Sequence, residues 1–159
     1  MEFTIRDSVK EDMPQVMGLI NELARFEHEA HAVDVTSDDL QRDGFGDKPL
    51  FHCFVAETDN ELVGIALIYP RYSTWKGPVI HLEDLIVTEK MRGSGLGTAL
   101  LEAVVKYGHK LGVKRISWEV LDWNEPAIKF YESKGANVMR DWDVVQLDEA
   151  GMQRFIENI

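Results

Sequence analysis

The sequence predicts an α+β fold in which helices flank one mixed, mostly antiparallel sheet of about seven strands. Segments with the two-residue periodicity of strands alternate with segments of helical periodicity along the whole chain. Three strand segments follow one another without an intervening helix, which indicates a meander. The chain has 159 residues and contains no internal repeat or low-complexity linker. We therefore expect one domain over residues 1–159.

The first half of the chain is predicted to contain two helices and the meander. Ser8 and Glu11 resemble a capping box before the first helix, and Thr36 is suited to begin a second helix that Gly44 ends. A turn at residues 58–60 joins the first two strands of the meander. The predicted elements are, in order, strand 2–6, helix 13–26, helix 36–44 and strands 51–57, 61–69 and 79–87.

The second half alternates between helices and strands. Asn124 is a suitable N-cap, Pro126 fits the first turn that follows it, and Gly135 ends the helix. Asp148 is a further N-cap candidate, before a last short helix. The predicted elements are helix 96–111, strand 114–121, helix 124–135, and strands 136–140 and 142–147.

Net charge and composition limit the kinds of molecule that the protein is expected to bind. The net charge is −11, which argues against nucleic-acid binding and fits a cationic partner, although such a charge also serves solubility alone. The single cysteine, Cys53, excludes an internal disulfide. We see neither a signal peptide nor an apolar run long enough for a membrane span, and expect a cytoplasmic protein. His28 and His31 lack the spacing of metal ligands, so we expect no metal.

Three glycines, Gly93, Gly95 and Gly97, lie between a predicted strand and a predicted helix. Such a turn directs backbone N–H groups and the positive end of the helix dipole at one point, which favours a phosphate. No Gly-Lys-Ser/Thr is present, which excludes a P-loop. Thr98 occupies the position where a dinucleotide fingerprint needs its third glycine. The remaining pattern, [Q/R]-x-x-G-x-[G/A], begins at Arg92. An ordinary glycine turn stays the alternative.

The segments HLEDLIV, RGSGLG, STWKG and LDWNEPAIKFYESKGA together resemble the GCN5-related N-acetyltransferases (GNAT). Within that superfamily the chain is most similar to the diamine (spermidine/spermine) acetyltransferases, and especially to the branch that prefers thialysine. The resemblance extends from IRDS to WDVVQLD. It implies the GNAT fold, acetyl-CoA as the donor, a small cationic primary amine as the acceptor, and a homodimer.

The resemblance also assigns a coenzyme site. The backbone of the strand before the glycines would bind the pantetheine arm, the glycine loop would bind the pyrophosphate, and Arg92 would add a phosphate contact. A buried strand and a plain N-cap at Asn124 are structural roles compatible with these. The implied coenzyme-binding residues are Leu85, Ile86, Val87, Arg92, Gly93, Ser94, Gly95, Leu96, Gly97, Thr98, Asn124, Pro126, Ala127 and Tyr131.

Two residues are candidates for proton transfer. The resemblance assigns Tyr131 as the general acid near the coenzyme sulfur; an aromatic core position beside Ile128 is the alternative. Glu83 and Asp84 are consecutive carboxylates in an apolar strand, where burial is costly. Because neighbouring strand residues face opposite sides, we expect a bulge that directs Glu83 to the amine as a water-mediated base. An exposed pair at a sheet edge is the alternative.

Acidic and aromatic residues are the candidates for binding a cationic acceptor. Each tryptophan has core or dimer packing as its alternative role. Arg140 replaces the acidic pair of the polyamine-preferring members, which argues against spermidine and spermine and for a smaller amine or one with a carboxylate. The implied substrate-binding residues are Phe26, Glu27, Trp75, Glu83, Asp84, Trp118, Glu119 and Trp142.

Two other functions compete with small-amine acetylation. The first is acetylation of a protein lysine or N-terminus, which would need an open groove for an extended peptide. The second is a non-catalytic acyl-CoA-binding module. The presence of both Glu83 and Tyr131 disfavours the second.

Overall fold

A five-stranded sheet, with its strands in the order β1-β2-β3-β4-β5, organises the first part of the protein. The computed structural model describes residues 2–159, which form two units divided between Glu119 and Val120. The elements of the first unit are β1 (Thr4–Asp7), α1 (Met13–Phe26), α2 (Ser37–Phe45), β2 (His52–Thr58), β3 (Glu61–Ser73), β4 (Gly77–Val87), α3 (Leu96–Leu111) and β5 (Ile116–Ser117). Neighbouring strands are antiparallel except β4 and β5, which are parallel.

The second unit contains α4 (Glu125–Ser133) and α5 (Glu149–Glu157). The α+β class is confirmed, but the prediction of about seven strands is wrong, because the sheet of the described residues has five. Residues 136–140 and 142–147 have no strand partner, and Val144 and Val145 are exposed. An alternating pattern specifies which face of a strand is apolar but supplies no partner for its hydrogen bonds.

The helix and turn predictions of the first unit hold, with two corrections. At the start of the first helical segment, the Asp12 carboxylate, rather than that of Glu11, accepts a hydrogen bond from the Val9 N–H at 2.8 Å. Gly44 lies inside α2, which ends at Phe45. At the β2–β3 turn, Asp59 and Asn60 both have positive φ, the conformation that a two-residue hairpin requires.

The two faces of the sheet are covered by different helices. On one face, buried residues of α1, among them Met13 and Val16, pack with apolar residues of β2, β3 and β4. On the other face α3 lies close to Gly64 of β3, where an added Cβ would come within 2.6 Å of the Leu96 Cδ2 atom. The small residue at position 64 therefore permits the close approach of the N-terminus of α3, the helix that the glycine loop opens.

No helix within residues 2–159 combines the length and the apolar character needed to cross a bilayer.

Candidate active site

A bulge in β4 places Glu83 outside the regular alternation of the strand. Leu67 of β3 pairs with Asp84, and the next residue, Ile68, pairs with Leu82, so Glu83 has no partner in the register. The predicted bulge is thereby present at the predicted residue. The extra residue leaves the Glu83 side chain 53% exposed, whereas Leu82 and Ile86 on the same strand are buried.

Three carboxylates meet beside this bulge. Asp84 pairs with Leu67, which belongs to the core beneath α1, and therefore faces the side of the sheet that α1 covers. Burial, followed by the charges of Glu83 and Glu27, raises the pKa of Asp84 from 3.8 to about 6. Burial and the neighbouring Glu29 also raise the pKa of Glu27. The structure thus brings together Glu27, Glu83 and Asp84, as expected for a cation site.

Glu83 has polar neighbours that the sequence analysis did not single out. The Nε2 atom of His81 lies 3.6 Å from Glu83 Oε2, and its Nδ1 atom lies 3.3 Å from the Ser117 hydroxyl. The Tyr69 ring lies 5.2 Å from the imidazole. Burial and then the charge of Glu83 raise the pKa of Tyr69. The available signal was a histidine two residues before the predicted base in an otherwise apolar strand.

The glycine loop opens α3 with its backbone exposed. Gly93 and Gly95 both have positive φ, and a Cβ atom added at either would meet no atom within 4 Å. Gly95 is the N-cap of α3, and because it lacks a side chain it leaves the first N–H groups of the helix available to a ligand. The Arg92 guanidinium lies over the Phe26 ring at 5.3 Å, which joins the loop to the end of α1.

The predicted strand 114–121 is reduced to the short β5, and this opens a gap beside β4. The two strands pair only at Ile80–Ile116 and His81–Ser117. Beyond His81, β4 continues to Val87, so its backbone from Leu82 onward has no strand on that side within the described part of the chain. Residues 85–87, assigned to the pantetheine arm, lie along this free stretch.

A cavity of about 880 Å³ lies next to the glycine loop. Lys90 is paired there with Glu61 at 2.7 Å, and Glu22 accepts hydrogen bonds from the Thr88 hydroxyl and the Glu89 N–H. Three cationic and two acidic side chains line the cavity, so its charged groups are mixed with one positive charge in excess. The cavity is lined by Glu22, Arg25, Phe26, Thr88, Glu89, Lys90 and Arg92.

The second unit contains the remaining coenzyme candidates. The Asn124 side chain accepts a hydrogen bond from the Ala127 N–H at 3.4 Å, so Asn124 caps α4 as predicted. Pro126 lies in the first turn, and Tyr131 lies on the same helix with its ring 5.4 Å from that of Phe130. Arg140 is 3.6 Å from the Glu125 carboxylate.

The tryptophan candidates lie on separate segments of the chain. Trp75 is 80% exposed in the turn between β3 and β4, and β4 residues 77–82 separate it from Glu83. Trp118 and Glu119 follow β5 directly. Trp142 lies in the second unit and is exposed.

Comparison with known proteins defines the class. The profile of the Acetyltransferase (GNAT) family matches residues 13–136. A thialysine N-epsilon-acetyltransferase from Mus musculus is 38% identical over 140 residues, which are 83% of this chain and 82% of the relative. A spermidine/spermine N(1)-acetyltransferase-like protein from Homo sapiens is 37% identical over 141 residues, covering 84% of this chain and 20% of the relative.

The fold of a solved enzyme agrees. An aminoglycoside N-acetyltransferase in complex with CoA superposes with a TM-score of 0.70 at 21% identity, covering 91% of this chain and 94% of that chain. The chain belongs to the GNAT family, and it is an acetyl-CoA-dependent N-acetyltransferase. The resemblance inferred from the motifs is confirmed.

The raised pKa of Asp84 predicts a pH-dependent cost to stability. The Asp84 carboxyl binds its proton more tightly in the folded state than in the unfolded state. The folded protein therefore loses stability as the pH rises from 3.8 to about 6, and the loss is complete above that range. Asp84→Asn is therefore expected to increase the free energy of unfolding by about 2–3 kcal/mol at pH 8 and by little at pH 4. Urea unfolding at both pH values measures the difference.

The exposed Asp143 supplies the control for that experiment. Asp143→Asn is expected to change the free energy of unfolding by no more than about 0.5 kcal/mol at either pH. An equal gain for Asp84→Asn at pH 4 and pH 8 would contradict the charge-burial explanation.

Proposed function

We propose that the protein transfers acetyl from acetyl-CoA to the primary amine of a small cationic molecule, such as thialysine or lysine. Glu83 acts as a water-mediated general base and Tyr131 as the general acid. The observation that carries the proposal is the convergence of Glu27, Glu83 and Asp84 at the β4 bulge, beside the strand gap. The family membership and the thialysine-acetylating relative support the same substrate class.

The first unit offers features that fit the coenzyme. Backbone amides at Gly93–Thr98 and the start of α3 are suited to a pyrophosphate, and the free edge of β4 is suited to the amide-containing pantetheine arm. Arg92, with Arg25 and Lys90 from the adjoining cavity, supplies positive charge for phosphates. When bound, acetyl-CoA supplies an activated thioester. The family resemblance also assigns Asn124, Pro126 and Ala127, at the start of α4, to coenzyme binding.

Amine activation requires the removal of a proton. A free alkylamine has a pKa of about 10.4 and arrives protonated at neutral pH. Glu83 is exposed enough to accept that proton through a water molecule, and its position outside the strand alternation directs it away from the core. Burial among other carboxylates keeps part of Asp84 protonated near pH 6. The negative charges of Glu83 and Glu27 that favour this proton also attract the ammonium group of the acceptor, which suits Asp84 to cation recognition with Glu27.

The positive charge of Arg140 favours a small acceptor over a long polyamine. Arg140 is paired with Glu125 at the start of α4. The polyamine-preferring members carry an acidic pair where this chain has Arg140; a guanidinium repels the ammonium groups of a long polyamine and attracts the carboxylate of an amino acid. Phe26, Trp75, Trp118, Glu119 and Trp142 remain candidates for further contacts to the substrate.

Further expectations are part of the proposal. Residues 1–159 act as a single acetyltransferase domain, the enzyme works as a homodimer in the cytoplasm, and it binds neither nucleic acid nor membrane. Acetylation of a protein amine is the competing function.

Two left-handed glycines at opposite ends of α3 allow a controlled test of the coenzyme loop. Gly95 and Gly112 both have positive φ with open space around the missing Cβ, so Gly95→Ala and Gly112→Ala should each cost about 1–2 kcal/mol of stability. Only Gly95→Ala should raise the KM for acetyl-CoA, by about tenfold, the loss of one strong hydrogen bond. Steady-state kinetics at fixed amine measures it, and equal KM values in the two variants would refute the loop assignment.

The proposed base and acid are distinguished by their pH dependence. Glu83→Gln should lower turnover by about 100-fold at pH 7, and the deficit should shrink toward pH 10 because the amine is then already deprotonated. Tyr131→Phe should lower turnover without that recovery and leave the KM for acetyl-CoA nearly unchanged. A Glu83→Gln enzyme with the wild-type pH profile, or full activity in Tyr131→Phe, would remove the corresponding assignment.

A panel of acceptors tests the substrate class. Thiol release is followed with acetyl-CoA and thialysine, lysine, putrescine, spermidine or a lysine peptide. Thialysine and lysine are expected to give the highest kcat/KM, and spermidine and the peptide the lowest. Preference for the peptide would establish a protein substrate, and tight acetyl-CoA binding without any turnover would establish a binding module.

A further inference from the structure

We infer that His81 is a positioning residue for Glu83, which it holds through one ring nitrogen while Ser117 fixes the other. The inference rests on the proposed role of Glu83 as the base. His81 is 6% exposed, whereas the Glu83 side chain that it contacts is 53% exposed. A rigid buried group therefore supports a mobile, solvent-facing one.

Strand pairing in the sheet brings Ser117, Tyr69 and Glu83 close to His81. His81 lies directly opposite Ser117 in the parallel β4–β5 pairing, and this is the last pair before the two strands separate. His81 also lies opposite Tyr69 in the antiparallel β3–β4 pairing. Glu83 follows two residues later, where the bulge turns it out of the strand. Strand register therefore fixes the backbone positions from which these side chains meet.

The chemistry of the neighbours determines the tautomer. A neutral imidazole has one N–H donor and one acceptor nitrogen. An ionised Glu83 can only accept, so the proposed tautomer carries its N–H on Nε2, which faces Glu83 Oε2 at 3.6 Å, an electrostatic contact longer than a hydrogen bond. The Ser117 hydroxyl then donates to Nδ1 at 3.3 Å. In this state His81 orients the carboxylate without neutralising it, and Glu83 stays able to accept a proton from the amine side.

A second proton on His81 changes the site. The imidazolium forms an ion pair with Glu83, which weakens the base and removes negative charge from the cation site. Histidine ordinarily changes charge between pH 5 and 8. The titratable and charged groups around this cluster are Tyr69 and Arg71 on β3, Asp84 beside Glu83 on β4, Glu119 after β5 and Glu27 at the end of α1. Protonation of His81 should therefore raise the KM for the amine and leave the KM for acetyl-CoA unchanged.

Two substitutions separate the orienting role from the charge. In His81→Gln the side-chain amide retains a donor for Glu83 but takes no charge, so kcat/KM at pH 7.5 should stay within about threefold of wild type. Its loss of activity toward pH 5.5 should become shallower, because one ionisation has been removed. In His81→Phe the donor is lost, and kcat/KM should fall by about tenfold at pH 7.5. Thiol release with thialysine over pH 5.5–9 measures both.

A matched control comes from a second strand histidine. His52 on β2 also faces a carboxylate, with its Nε2 atom 2.9 Å from Asp7 Oδ1, and it stacks on Tyr107. His52→Gln should leave the pH profile and both KM values at wild-type levels. Thermal melting of each purified variant confirms that the comparison is made between folded proteins, and His81→Gln carries the test if His81→Phe does not fold.

The double variant His81→Gln/Glu83→Gln tests whether His81 acts through Glu83. Residues that act through one another give non-additive effects, so His81→Gln should leave the pH profile of Glu83→Gln unchanged. The inference would be overturned if His81→Gln changed the activity between pH 5.5 and 7 equally in the wild-type and Glu83→Gln backgrounds. It would also be overturned if His81→Gln and His81→Phe both left that part of the pH profile and the KM for the amine unchanged. If instead Glu83→Gln itself keeps the wild-type profile, the assignment of the base fails.

Discussion

One inserted residue in β4 is the constraint on which the candidate site depends. A regular strand would direct Glu83 and Asp84 to opposite faces of the sheet and bury one of them among apolar side chains. The bulge removes Glu83 from the register and leaves Asp84 facing the side covered by α1, near Glu27. It therefore permits three carboxylates to share one region without all of them being buried. The cost appears in Asp84, whose pKa rises because the carboxyl is buried and also lies near the charges of Glu83 and Glu27.

The same strand links the acceptor region to the coenzyme region. β4 pairs fully with β3 but only briefly with β5, so one edge of it is free beyond His81. Its C-terminal end leads into the glycine loop and α3, whose close approach depends on Gly64. A single strand therefore presents Glu83 and Asp84 near its middle and leads at its end into the glycine loop proposed to bind phosphate. This arrangement explains how the short segments HLEDLIV and RGSGLG together contain the proposed acceptor and coenzyme regions.

Local patterns predicted the parts of the molecule that local forces determine. The bounds of α1 and α3, the cap at Asn124 and the hairpin at residues 58–60 follow from periodicity, capping and turn chemistry within a few residues. Pairing between distant segments was less accessible. Residues 142–147 alternate like a strand yet have no partner, and the predicted strand at 114–121 pairs over two residues only. The cluster around His81 escaped notice because Tyr69 and Ser117 reach it through register, which no single segment encodes.

The stacking of Arg92 on Phe26 connects the two binding regions energetically. Phe26 precedes Glu27 at the end of α1, and Arg92 precedes the glycine loop. A phosphate that attracts the guanidinium changes the contact that holds the aromatic ring, and hence the segment that carries Glu27. By thermodynamic linkage, any such change in affinity is reciprocal between the two ligands. Under the proposed assignments, the affinities for donor and acceptor would therefore be coupled through this contact.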